Sequence, residues 1–132
     1  MLFRSWFPGM GPSWTGTSPL PGATIPHGDR VRFVQRLQER YAGLPQKVLT
    51  GLARRHGALA YDVLGDAATL ADLGAHFGAQ LYAREIDYLV EHEWATTAED
   101  VLWRRTKAGL QLDARQTEAV ARYLTQRVAS RV

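Results

Sequence analysis

The sequence predicts an all-α fold, a compact helical domain of about five to six helices preceded by an extended N-terminal arm. Three observations predict it. From Gly28 onward, apolar residues recur three and four positions apart, the spacing that gathers them on one face of a helix. Nowhere does the chain sustain the alternation of apolar and polar residues that a half-buried strand requires. Five of the six prolines (Pro8, Pro12, Pro19, Pro21 and Pro26) fall within the first 28 residues. Proline lacks an amide donor and fixes φ, which excludes helix and interior strand there. The expected division is an arm or linker over 1–28 and a helical domain over 29–132.

The arm also carries Trp6, Phe7, Trp14 and Leu20, apolar side chains that gain by burial. A flexible tail rarely holds so many aromatics, so these four are expected to lie along another domain. The competing expectation is that the arm folds back over its own helices.

Asp29 has the chemistry of an N-cap, and Val31, Val34, Leu37 and Tyr41 form the apolar stripe of the helix it opens. Gly43 can close that helix, and Pro45 suits the first turn of the next. That second helix carries Val48, Leu49, Leu52 and Ala53 and stops near His56-Gly57. A short third helix covers Ala60–Leu64, with Gly65-Asp66 as the break. Over 66–80, Leu70, Leu73 and Phe77 have helical spacing, but Gly74 and Gly78 weaken it. Turns and one irregular short helix are expected there.

The next helix starts near Tyr82 and presents Tyr82, Ile86, Leu89 and Val90 on one side, with Glu93 among them. Thr96 and Glu99 have the spacing of a capping box for its successor. In that successor Val101, Leu102, Ala108 and Gly109 share a face, and Arg105 falls in its middle. A short connection favours antiparallel packing, which predicts a Glu93–Arg105 ion pair inside the hairpin. Asp113 and Gln116 repeat the capping-box spacing before a last helix that buries Thr117, Val120, Ala121, Leu124 and Val128.

Composition narrows function by exclusion. The 132 residues contain no cysteine, so thiolate chemistry and disulfides are unavailable. No apolar run approaches the roughly 20 residues that span a bilayer, and Arg4, Pro8 and Gly9 break the first apolar stretch, unlike a signal peptide. A soluble, cytoplasmic protein is expected. The net charge of +3 is mild, and acids are interspersed with the basic residues, which argues against a nucleic-acid face. His27, His56, His76 and His92 share no metal-ligand spacing. Ser13 and Ser18 lack a histidine and acid partner, and Glu85–Asp87 and Glu91–Glu93 alternate across helix faces. The residues therefore offer no catalytic, cofactor-binding or metal-binding set.

The string HEWATTAEDVLWRRT carries more specific information. Its His92, Glu93, Thr96, Thr97, Glu99, Asp100, Leu102, Arg104, Arg105 and Thr106 resemble the C-terminal helical domain of the aerobic, FAD-dependent glycerol-3-phosphate dehydrogenases. The segments LGDAATLADLGAHFG at 64–78 and FPGMGPSWTGTSPLPGATI at 7–25 resemble the family's preceding stretches, so the resemblance runs from about Trp6 onward. Met1–Ser5 has no counterpart there and is set aside as an extraneous leader or a false start. Pro21-Gly22-Ala23 departs from the family's Pro-Gly-Gly, which puts that turn in question.

The resemblance implies an intact enzyme that oxidises glycerol 3-phosphate to dihydroxyacetone phosphate, passing electrons to FAD and then to quinone. It also implies association with the inner face of the cytoplasmic membrane. The family's flavin sits on a dinucleotide-binding fold, and no G-x-G-x-x-G occurs in this sequence. The expected role is that of a fragment, inactive alone, which packs on and stabilises an N-terminal FAD- and substrate-binding domain. The alternative is a stand-alone basic helical module that binds a protein or a nucleic acid.

Overall fold

The computed structural model describes Gly9 and residues 11–130. Five α-helices dominate it: α1 (Arg30–Arg40), α2 (Gln46–His56), α3 (Ala60–Leu64), α4 (Ala83–His92) and α5 (Ala114–Ala129). The Asp29 carboxylate accepts from the Arg32 amide at 3.0 Å and caps α1. Asp113 and Gln116 close a reciprocal box on α5, at 2.8 and 2.9 Å. Each such bond satisfies an amide that the first helical turn would leave without a partner.

Two apolar clusters form the core. The first joins α1, α2 and α3 through Phe33, Leu37, Leu49, Leu52 and Leu64. The second joins α4, the residues just before it, α5 and the segment between the two helices through Leu81, Ile86, Leu89, Leu102 and Leu124. Tyr88 packs against both clusters and links the halves. On α1 the buried face is turned from the expected stripe. Val31 is 73% exposed, and Phe33 takes its place beside Leu37 and Tyr41.

The segment expected to hold turns and an irregular helix contains both and something more. Leu70–Leu73 is a single 3-10 turn boxed by Thr69 and Asp72. Beyond it, β1 (His76–Gly78) and β2 (Leu81–Tyr82) pair antiparallel, with a bulge between His76 and Gly78. Strands of three and two residues are too short to show a period of two. Their connection, Ala79-Gln80, holds φ of +49° and +53°, a left-handed turn normally given to asparagine and glycine.

The region after α4 also departs from expectation. Asp100, not Glu99, completes the box: its Oδ2 accepts from the Thr97 amide at 3.0 Å, and its own amide donates to Thr97 Oγ1 at 3.2 Å. Glu99 instead pairs with Arg104. The helix expected to run on to Gly109 is a wide π-type turn over Asp100–Arg105. It is sealed where the Thr106 amide and hydroxyl both donate to the Val101 carbonyl, at 3.0 and 2.7 Å. Lys107 at φ +60° breaks the chain away, and Ala108–Leu110 forms a separate 3-10 turn. Among the described residues no helix is long and apolar enough to cross a membrane.

Candidate functional site: a buried charge cluster beneath a basic groove

The last turn of α2 reads Arg54-Arg55-His56, and helical spacing sends the last two inward after Val48, Leu49 and Leu52. Opposite them stands Glu85 in the first turn of α4, where the helix dipole favours an anion. Glu85 is 2% exposed. Its Oε1 accepts from Arg55 Nε at 2.6 Å and from His56 Nε2 at 2.7 Å, and its Oε2 accepts from Arg55 Nη2 at 2.7 Å. An ionised carboxylate only accepts, so His56 carries its proton on Nε2. The His56 ring meets Tyr88 edge-on at 6.0 Å.

Burial pushes the Glu85 carboxyl up, but the hydrogen bonds from His56 and Arg55 outweigh it and hold the group below its ordinary value. With both oxygens occupied, Glu85 is no free base. Its work is positional: Arg55 Nη2 also reaches the Gln80 carbonyl at 3.3 Å, which ties the strained hairpin turn to α2.

Above the cluster lies a groove of about 460 Å³. Arg54, Arg55, Arg105 and Lys107 line it, with Gln80 and Gln111, and no carboxylate does. A second cavity, about 440 Å³, mixes charges of both signs. At its edge Asp87 accepts from Arg127 Nε at 2.8 Å and from the Tyr123 hydroxyl at 3.0 Å, which staples α5 to α4.

Of the residues singled out from sequence, Glu93 and Arg105 are close, with Arg105 Nη1 3.4 Å from Glu93 Oε2. They meet at the rim and not inside the hairpin, with side chains 27% and 41% exposed. The wide turn rotates Arg105 away from the core that a regular helix would have given it. Trp6 and Phe7 lie outside the described residues. Trp14 and Leu20 are 67% and 76% exposed, so neither covers the helices. The arm touches its own domain elsewhere, through Ile25 on the first cluster and through the Gly22 carbonyl, which accepts from the Ala58 amide at 2.9 Å. Ala23 fits without strain, because the positive φ of that turn, +78°, falls on Gly22.

The buried cluster was missed in the sequence although a signal existed. Glu85 stands four residues before Leu89, and His56 four after Leu52, so both share a face with core leucines.

Residues 13–131 match the family model described as the C-terminal domain of alpha-glycerophosphate oxidase. This chain belongs to that family. Similarity to whole proteins agrees with it. The chain is 42% identical over 127 residues to the aerobic glycerol-3-phosphate dehydrogenase of Escherichia coli K12, which covers 96% of this chain and 25% of that protein. A glycerol-3-phosphate dehydrogenase of Pseudomonas aeruginosa is 43% identical over 92% of this chain and 23% of its own length. The D-erythritol 1-phosphate dehydrogenase of Brucella abortus is 43% identical over 80% of this chain and 21% of its own. The chain thus spans about a quarter of the length of these curated relatives. In the terms of this family, the buried cluster and the groove above it belong to the C-terminal domain.

Proposed function

We propose that this chain is the C-terminal helical domain of an enzyme that oxidises a phosphorylated polyol, with glycerol 3-phosphate as the substrate. The observation that carries the reading is the family match over 13–131. Relatives named for glycerol 3-phosphate and for D-erythritol 1-phosphate share one chemistry, the oxidation of an alcohol on a phosphorylated polyol. The product from glycerol 3-phosphate would be dihydroxyacetone phosphate.

By family resemblance the intact enzyme uses FAD. Among the described residues the sheet is one two-stranded antiparallel hairpin, whereas a dinucleotide is cradled by a parallel strand, a glycine-rich turn and a helix. In this reading flavin and substrate belong to an N-terminal catalytic part, and this domain's role is to pack on that part and stabilise it. Exposed Trp14, Leu20 and Trp94 are the apolar side chains such packing would cover. We place the intact enzyme in the cytoplasm, at the inner face of the cytoplasmic membrane. A stand-alone nucleic-acid module is disfavoured, since Arg104, Arg122 and Arg127 are each paired with carboxylates.

An immunoblot of the native cells with an antibody against this chain tests the reading. A band several times heavier than 14.7 kDa, with dye-linked oxidation of glycerol 3-phosphate in the immunoprecipitate, is the expected result. A band at 14.7 kDa without that activity overturns it.

A further inference from the structure

We propose that the groove between the end of α2, the hairpin turn and the exit of the π-type turn binds a phosphate group. The first argument is charge. Among the described residues Arg55 is matched by Glu85 and Arg105 by Glu93, but neither Arg54 nor Lys107 has a carboxylate partner. Lys107 Nζ donates only to the Trp103 carbonyl, and Arg54 is exposed at the groove wall. Two cations without a carboxylate partner on one concave surface add their potentials, which draws an anion to it. Phosphate, with roughly one to two negative charges near neutral pH and several acceptor oxygens, meets that demand.

The second argument is the backbone. Of the five described non-glycine residues with positive φ, three line this groove: Ala79, Gln80 and Lys107. Side chains disfavour that conformation, and such residues gather where a site must be held in shape. The shape is held here by Arg55, which grips the Gln80 carbonyl while anchored on buried Glu85.

The phosphate could come free in solution or on the headgroup of an anionic lipid, and the test separates the two. The 132-residue chain is titrated calorimetrically with inorganic phosphate at low ionic strength, and separately floated with phosphatidylglycerol or phosphatidylcholine vesicles. Saturable phosphate binding is expected, weakened about tenfold by Arg54→Gln and further by Arg54→Gln with Lys107→Gln. Arg54→Lys should retain most of it, and Arg122→Gln on α5 should bind like the parent. Flotation with phosphatidylglycerol that free phosphate competes away assigns the group to a lipid, and phosphate binding without flotation assigns it to a soluble ligand. The proposal is overturned if phosphate does not saturate, or if Arg54→Gln and Arg122→Gln bind alike. It is equally overturned by flotation that phosphate leaves untouched.

Discussion

Arg55 holds Glu85 through two parallel hydrogen bonds, 2.6 Å from Nε to Oε1 and 2.7 Å from Nη2 to Oε2, with the carboxylate 2% exposed. The pair joins α2 to α4 and so joins the two core clusters. Removing Glu85 leaves Arg55, 16% exposed, with only the Gln80 carbonyl, and leaves the Nε2 of buried His56 without its acceptor. Glu85→Ala should therefore cost about 3–5 kcal/mol. Glu91→Ala removes a partly exposed partner of Arg127 and should cost about 1 kcal/mol or less. Urea unfolding followed by circular dichroism compares them, and equal midpoints would refute the assignment.

The Glu93–Arg105 contact sits on the other side of that divide. Water screens both side chains, so Glu93→Ala should cost about 1 kcal/mol or less. Arg105→Ala should cost more than Glu93→Ala, because Arg105 Nη2 also donates to the Glu93 carbonyl at 2.8 Å and ties the end of α4 to the π-type turn. The same denaturation series reads both variants. A larger loss from Glu93→Ala would mean that the carboxylate matters beyond this bond.

The contrast between the two pairs shows what the sequence could and could not tell. α2, α3 and α5 were legible because each carries enough apolar residues at helical spacing, and α5 also shows its capping box. The hairpin was hidden because its strands are too short for a pattern and its turn lacks glycine or asparagine. A π-type turn adds a residue to the helical circuit, so a wheel drawn at 3.6 residues per turn put Arg105 on the wrong face. Glu85 was not legible as a buried acid from comparison with Asp87, because alternation across the helix does not say which of the two faces is covered. The more telling relation was to Leu89, one turn on, and to basic residues about 30 positions away in sequence.

Gly22 and Gly57 bring two backbones together. A Cβ on Gly22 would stand 2.4 Å from the His56 carbonyl oxygen, and one on Gly57 would stand 2.3 Å from that of Gly22. Both residues also hold positive φ. Gly57→Ala should lower stability by about 1–3 kcal/mol, since it strains the end of α2 beside His56. Gly22→Ala should release the arm while the helices keep their melting temperature. Limited proteolysis reads this as faster cutting between Leu20 and Gly28. Unchanged cutting would mean that the arm is not held there.

Asp100 acts on the acid limb together with Asp66, Asp72 and Glu85, whose carboxyls are also held below their ordinary values. Bonds from the Thr96 amide, the Thr97 hydroxyl and the Thr97 amide lower its pKa from 3.8 to about 2. A depressed carboxyl contributes stability that is present above the unfolded value and lost as pH falls through the folded one. Asp100 therefore adds to the loss of stability between pH 3.8 and about 2. Asp100→Asn should flatten that limb, and carboxyl carbon NMR should find Asp100 titrating near 2. An ordinary titration near 3.8 would remove the box from the account of this turn.

Tyr123 acts on the opposite limb, with Tyr88, whose phenol is also raised, and there the sign reverses. Burial first, then its hydrogen bond to Asp87 and the charge of that carboxylate, raise the phenol from 10.0 to about 12. A group raised on folding contributes stability that is complete below the unfolded pKa and lost as pH climbs through the folded one. The chain should thus lose stability between pH 10.0 and about 12 as the unfolded state ionises first. Tyr123→Phe removes the titrating hydroxyl and leaves the ring against Phe77 at 5.3 Å, so it should weaken this alkaline loss while keeping the packing. Asp87→Asn keeps an acceptor for the phenol but removes the charge beside it. A residue-resolved titration of the tyrosine ring carbons by NMR should therefore place Tyr123 between the two values in that variant. If Tyr123 titrates alike in the parent and in Asp87→Asn, the carboxylate is not what sustains the shift, and burial alone must account for it.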